Sequence, residues 1–181
     1  MIMTTQKTQH KKSDVIVHTG NGKGKTTAAL GVVLRASGYG HKILVVQFIK
    51  GAWHYGEMDA LERIANVELM RVGKGFVGIL DDKLPFSEHQ EAARAGLAEA
   101  RAKIVAGQYD LVVLDEVNNA VAMNLLPLDD VLDVVENRPT QTSIILTGRN
   151  AHPRLLALAD FVTEMRDIKH PSGAFRKGIG F

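Results

Sequence analysis

Cysteine is absent from the 181-residue chain, which removes thiol nucleophiles, disulfide staples and cysteine-type zinc or iron–sulfur sites from consideration. That absence suits a reducing compartment. No apolar run approaches the roughly eighteen residues of a membrane span, and the opening MIMTTQKTQHKKS lacks the apolar core of a secretion signal. The expected setting is the cytoplasm, without a membrane partner. Acidic residues are missing from positions 1 to 13, where Lys7, Lys11 and Lys12 concentrate positive charge. The whole chain carries only +2, so the remainder is close to neutral and bulk charge gives no reason to expect a nucleic-acid partner. Internal repeats and low-complexity tracts are lacking too. What is left is 45% hydrophobic, enough for one domain that buries about 70% of its unfolded surface.

We read residues 1–13 as a flexible polar tail and residues 14–181 as a single domain. Within it, short apolar runs alternate with helical patterns. The runs are VIV at 15–17, ILVVQF at 43–48, VELM at 67–70, LVVL at 111–114 and SIILT at 143–147, with FVTEM at 161–165 as a sixth. Runs without period-2 alternation indicate strands buried on both faces, as in a parallel sheet covered by helices. The clearest helix is expected to start at Ser87 with Gln90 closing a capping box. It places Ala93, Leu97, Ala100 and Ile104 on one side and stops at Gly107. Pro153 fits the first turn of another helix. Strand and helix repeated in this way predict a three-layer α/β domain, a mostly parallel sheet with helices on both faces, whose ligands sit beyond the carboxyl ends of the strands.

At such an end stands HTGNGKGKTTAALG, residues 18 to 31. The phosphate-loop pattern wants a glycine, four residues, then Gly-Lys-Ser/Thr. Gly24, Lys25 and Thr26 supply the second half, while the first position is Thr19 rather than glycine. Gly20 and Gly22 still permit positive φ, so the amides from Asn21 through Lys23 to Thr27 can turn inward as an anion nest at a helix N-terminus. Lys25 then places its ammonium on phosphates and the Thr26 hydroxyl takes one site on Mg²⁺. The dinucleotide pattern G-x-G-x-x-G fits no register here. A nucleoside triphosphate is the expected ligand.

Its metal needs a carboxylate, and LVVLDE at 111–116 ends an apolar strand in Asp115 and Glu116 at the same sheet edge. Either acid could hold the ion, directly or through water. TGR at 147–149 brings Arg149 to that edge, for phosphate or ribose, or else for a surface ion pair. No Ser-His-Asp or Cys-His set is evident, and the histidines show no metal-ligand spacing.

TGNGKGKTTAA (19–29), VVQFIKG (45–51), GKGF (73–76), VVLDE (112–116), LPLDDVL (126–132), NRP (137–139), TGR (147–149) and KHP (169–171) resemble, in order and over nearly the whole chain, the bacterial ATP:corrinoid adenosyltransferases. TGNGKGKTT and VQFIKG are the specific parts, and Thr19 is what that family usually has. The resemblance implies a P-loop NTPase-like, RecA-like fold. It implies transfer of the 5′-deoxyadenosyl group of ATP, held with Mg²⁺ or Mn²⁺, to Co(I) of a reduced corrinoid, cobalamin or its diamide precursor, with tripolyphosphate leaving. ATP runs along the loop in the reverse direction, and Lys25 and the loop amides steady the leaving group.

The same resemblance implies a homodimer, an electron donor such as a reduced flavoprotein, and Arg35 on the first helix as a nucleotide contact, where a structural ion pair is the alternative. It places Phe76 against the lower face of the corrin, where packing into the core is the alternative. Trp53, beside His54, lines the cleft or packs inside. Gly78 replaces an aromatic often found two residues after the phenylalanine, and the ending GAFRKGIGF is short. Two other functions stay open on residues alone. One is an ordinary phosphate-loop kinase or ATPase with Glu116 positioning a nucleophile. The other is a non-catalytic, ATP-gated corrinoid-binding module.

Overall fold

In a computed structural model, residues 13–50, 54–75, 77, 82–169 and 176–179 are described. Along the chain run β1 (Val15–Thr19), α1 (Lys25–Gly38), β2 (Ile43–Gln47), α2 (Gly56–Glu62), β3 (Val67–Arg71) and α3 (Phe86–Val105). They are followed by β4 (Leu111–Asp115), α4 (Val117–Ala122), α5 (Leu128–Glu136), β5 (Ser143–Thr147), α6 (Pro153–Leu158) and β6 (Phe161–Glu164). All six expected strands form, in the order β3-β2-β4-β5-β1-β6, and every pairing is parallel.

Because successive side chains point to opposite faces, a strand that is apolar throughout must be covered twice. Leu44 and Val46 of β2, Val112 and Leu114 of β4, and Ile144 and Leu146 of β5 join the side chains of α3, α4, α5 and α6 in one core. Ile43, Val45, Leu111, Val113 and Ile145 point the other way, onto Ala29 and Val33 of α1 and Leu61 of α2. The result is the three-layer α/β sandwich expected, with its six strand C-termini along one edge. Among the described residues no helix is long and apolar enough to cross a membrane.

Helix α3 buries Ala93, Leu97, Ala100 and Ile104 on the predicted face, and Gly107 (φ 71) follows its end in the left-handed conformation that stops it. Its start differs from the expectation. Pro85, in extended conformation, is the N-cap, so Ser87 falls inside the first turn where it cannot cap, and no side-chain cap forms. Gln90 is therefore free to reach across to the Asn124 carbonyl, 2.8 Å away. Pro153 does open α6. Of the tail, residues 1–12 lie outside the described residues. Ser13 is already buried, its hydroxyl 3.4 Å from the Arg138 guanidinium.

Tyr109 enters β4 from the buried side and donates its hydroxyl to Glu68 of β3, which also takes Lys103 of α3. Burial first, and the Glu68 carboxylate second, push the phenol up to about 12. The fold thus favours the neutral phenol over an unfolded value near ~10. Its contribution is complete below the unfolded value and is lost as pH rises through about 12. Absorbance titration at 295 nm should show a tyrosine component ionising at about pH 12 that Tyr109→Phe removes; an unchanged titration curve in the variant would refute the assignment.

Candidate active site

The chain leaves β1 at Thr19 and must turn at once to start α1. Gly20 (φ 94) and Gly24 (φ 107) supply the left-handed turns, and a Cβ on Gly20 would sit 2.4 Å from the Met165 carbonyl. This explains why Thr19 need not be glycine. It remains in the strand, and its hydroxyl accepts the Ala151 amide at 3.2 Å instead of facing the cleft. Gly22 is pressed equally hard, since a Cβ there would lie 2.6 Å from the Arg166 carbonyl while its amide donates to Met165 at 2.7 Å. The segment after β6 thus forms a back wall for the loop. Lys25 folds over the loop, with Nζ 2.8 Å from the Gly20 carbonyl and 2.7 Å from that of Gly22. Two of its three ammonium donors hold the curvature.

Strand β5 separates β1 from β4 and sets Thr147 between the loop and the acids. Asp115 is 1% exposed. Its Oδ1 accepts the Thr26 hydroxyl at 2.8 Å and the Thr147 hydroxyl at 2.7 Å, and Thr147 Oγ1 in turn accepts the Glu116 amide at 2.9 Å. Oδ2 faces the Lys50 ammonium at 3.2 Å and the Gln47 amide at 3.4 Å. Glu116 (φ 63) turns the chain from β4 into α4, and its buried Oε2 has no hydrogen-bond partner. Burial first, then the neighbouring Asp115, raise the Glu116 pKa, with Lys50, Lys25 and Arg149 opposing. Burial lowers that of Lys25; Glu116 opposes the shift and Arg149 adds to it.

These groups border a cleft of about 790 Å³, the size of a pocket for a nucleotide-scale ligand. Residues 21–27 line it together with Glu116 and Arg149. Arg149 is exposed, its backbone amide is taken by the Asn119 side chain, and no carboxylate among the described residues pairs with its guanidinium. Arg35 is not brought here. It occupies the last turn of α1, ten residues beyond Lys25 and therefore ~15 Å along the helix axis. Phe76, Gly78 and Trp53 lie outside the described residues.

Sequence reading missed Lys50, Glu57 and Asn119. Lys50 bridges Glu57 (2.9 Å) and Asp115, with the Tyr55 ring centroid 5.2 Å away. Burial alone would lower its pKa, but the two carboxylates outweigh that and raise it. The signal was present in FIKG, a lysine directly after a buried strand. What the letters did not reveal is Ile49 at φ 68, a conformation rare for a β-branched residue, which marks a constrained turn.

Comparison with known proteins now bears on this geometry. The sequence profile described as ATP:corrinoid adenosyltransferase BtuR/CobO/CobP matches residues 11–181. The chain belongs to that family. It is 41% identical over 171 residues to the corrinoid adenosyltransferase of Escherichia coli strain K12, covering 94% of this chain and 84% of the relative. Against the corrinoid adenosyltransferase CobA of Salmonella typhimurium strain LT2 it is 41% identical over 172 residues, with the same coverage. The Pseudomonas aeruginosa corrinoid adenosyltransferase is 42% identical over 166 residues, covering 91% of this chain and 79% of the relative. Family membership, a phosphate-loop fold and a transferase reaction are thereby established for this chain.

Gly22→Ala tests the back wall. Its Cβ has no room against the Arg166 backbone, so ATP affinity measured by calorimetry should fall at least about tenfold while circular dichroism stays native. Wild-type affinity would show that the loop does not depend on this packing.

Proposed function

We propose that this chain transfers the 5′-deoxyadenosyl group of MgATP to Co(I) of a reduced corrinoid and releases tripolyphosphate. One observation carries the reading. In a chain of the corrinoid adenosyltransferase family, the cleft gathers the glycine-rich loop with Lys25, Lys50 and Arg149, a set of cations suited to a polyanion. In this reading the nucleophile arrives with the substrate. A cobalt electron pair forms the Co–C bond to the ribose 5′ carbon, the C5′–O bond breaks, and that bonding pair departs on the α-phosphate oxygen.

The protein's share is orientation and charge stabilisation. Lys25 has one ammonium donor beyond those given to Gly20 and Gly22, and residues 23–27, at the opening of α1, line the cleft. Arg149, which lines the same cleft, adds a guanidinium. Among the described residues no cluster of three or more His, Asp or Glu could hold a metal by itself. One or two carboxylates completed by phosphate and water is the usual Mg²⁺ arrangement, and the donor set here fits it: Thr26, Asp115 and the unpartnered Glu116 oxygen. These three residues would hold the ion, whose chemistry there is to neutralise the polyphosphate.

Phe76 against the corrin, a homodimer, an electron donor such as a reduced flavoprotein, and a cytoplasmic setting belong to the same reading and rest on the family likeness. Arg35 is not among the residues that line this cleft.

Incubation with MgATP, cobalamin and a strong reductant should yield light-sensitive adenosylcobalamin and tripolyphosphate; ADP would indicate a kinase or ATPase instead, and no product a binding module. Lys25→Ala should lower turnover about 10²- to 10³-fold, the usual loss when a fixed charge stabiliser is removed. Retention of wild-type turnover would remove Lys25 from the reaction. Phe76→Ala should spare ATP binding and impair reaction with cobalamin, which brings its own lower ligand, more than with cobinamide, which does not. Equal losses on the two substrates would count against the corrin contact.

A further inference from the structure

A carboxylate buried as deeply as Asp115 cannot be left without a compensating charge, because desolvation would then outweigh anything its hydroxyl partners supply. The compensation comes from Lys50. Its ammonium lies 3.2 Å from Asp115 Oδ2 and 2.9 Å from Glu57 Oε1, so it is shared between an acid on β4 and one on α2. Glu57 is the more accessible of the two, 21% exposed against 1% for Asp115. The backbone before this lysine is strained at Ile49 (φ 68), and Gly73 leaves the space that lets it turn, since a Cβ there would lie 3.3 Å from the Ile49 nitrogen. Strain of this kind persists where surrounding packing over-determines it, and it clusters at functional sites.

We propose that Lys50 is the resident counter-ion of Asp115, standing in the charge position of the divalent cation and passing wholly to Glu57 when that cation arrives. The proposal rests on the reading of Asp115 as a metal-side carboxylate. A lysine suits the task because its point charge sits on a flexible four-carbon stem and can change partner without moving the backbone. An ammonium and a metal ion on one carboxylate repel each other, so Lys50 and the metal compete, and Glu57 sets the terms by giving the ammonium somewhere to go. Lys50 is thus a positioning residue, the partner of Asp115 before the cation arrives and of Glu57 afterwards.

Mn²⁺ alone, titrated into the nucleotide-free full-length protein and followed by the electron paramagnetic resonance of the free ion, tests this without any turnover. Lys50→Met removes the competitor and should tighten Mn²⁺ binding by at least about fivefold, the lower end of typical coupling between linked sites. Glu57→Gln removes the alternative partner and should weaken it by a similar factor. These opposite signs are what a purely structural pair would not produce. Equal affinities in wild type and both variants, or loss in both, overturn the proposal. Asp115→Asn should abolish Mn²⁺ binding. If it does while the other two variants match wild type, the metal reading stands and the counter-ion role falls; if it leaves binding intact, the reading of Asp115 fails and the proposal with it. Should Lys50→Met not fold, Glu57→Gln decides alone, since unchanged or tighter binding in it is incompatible with competition.

Discussion

One buried carboxylate fastens the site together. Asp115 receives the Thr26 hydroxyl from the helix after β1, the Thr147 hydroxyl from β5, and the Lys50 ammonium and Gln47 amide from the end of β2. Four segments far apart in sequence are thereby held at fixed separation at the sheet's carboxyl edge. The parallel sheet makes this possible, since it brings every strand C-terminus to the same side, where the connecting loops are free to carry polar side chains. The interior of the sheet supplies the rigidity, and the edge supplies the chemistry.

Much of this could be read from the letters because it follows from local rules. LVVL and SIILT are apolar without alternation, and only strands covered on both faces tolerate that pattern. The loop around Lys25 was legible for a comparable reason, although positive φ falls at Gly20 and Gly24 and not, as expected, at Gly22, which is glycine because the Arg166 backbone leaves no room for a Cβ; the family likeness in TGNGKGKTT and VQFIKG was specific enough to identify the reaction class. What escaped notice depends on three-dimensional packing. Glu57 meets Lys50 from the first turn of α2, seven residues on, and Asn119 meets Arg149 because α4 and the end of β5 pack together. Ser87 and Gln90 satisfy a local signature, yet Pro85 moved the helix start and left Gln90 to a partner on another segment. Arg35 fits its family position, but helix rise alone carries it away from the cleft of its own chain.

The arrangement also shows where the fold stores tension. Ile49 and Glu116 both adopt left-handed backbone conformations, two residues beyond β2 and one beyond β4, neighbouring strands of the sheet. Each costs of the order of a kilocalorie per mole relative to a relaxed turn, ~1–2 by general estimates. The two positions deliver the lysine and the second carboxylate to the cleft. Stability is therefore lower at the carboxyl edge than a regular turn would allow, and the well-covered strands beneath it carry the difference.

The contact between Gly22 and Met165 has a further meaning for any anion that enters. A main-chain N–H that already donates to a carbonyl at 2.7 Å has no hydrogen left for a guest. Gly22 is in this respect scaffolding, and the hydrogen that the glycine spacing offers to a guest at this position is spent on the segment after β6.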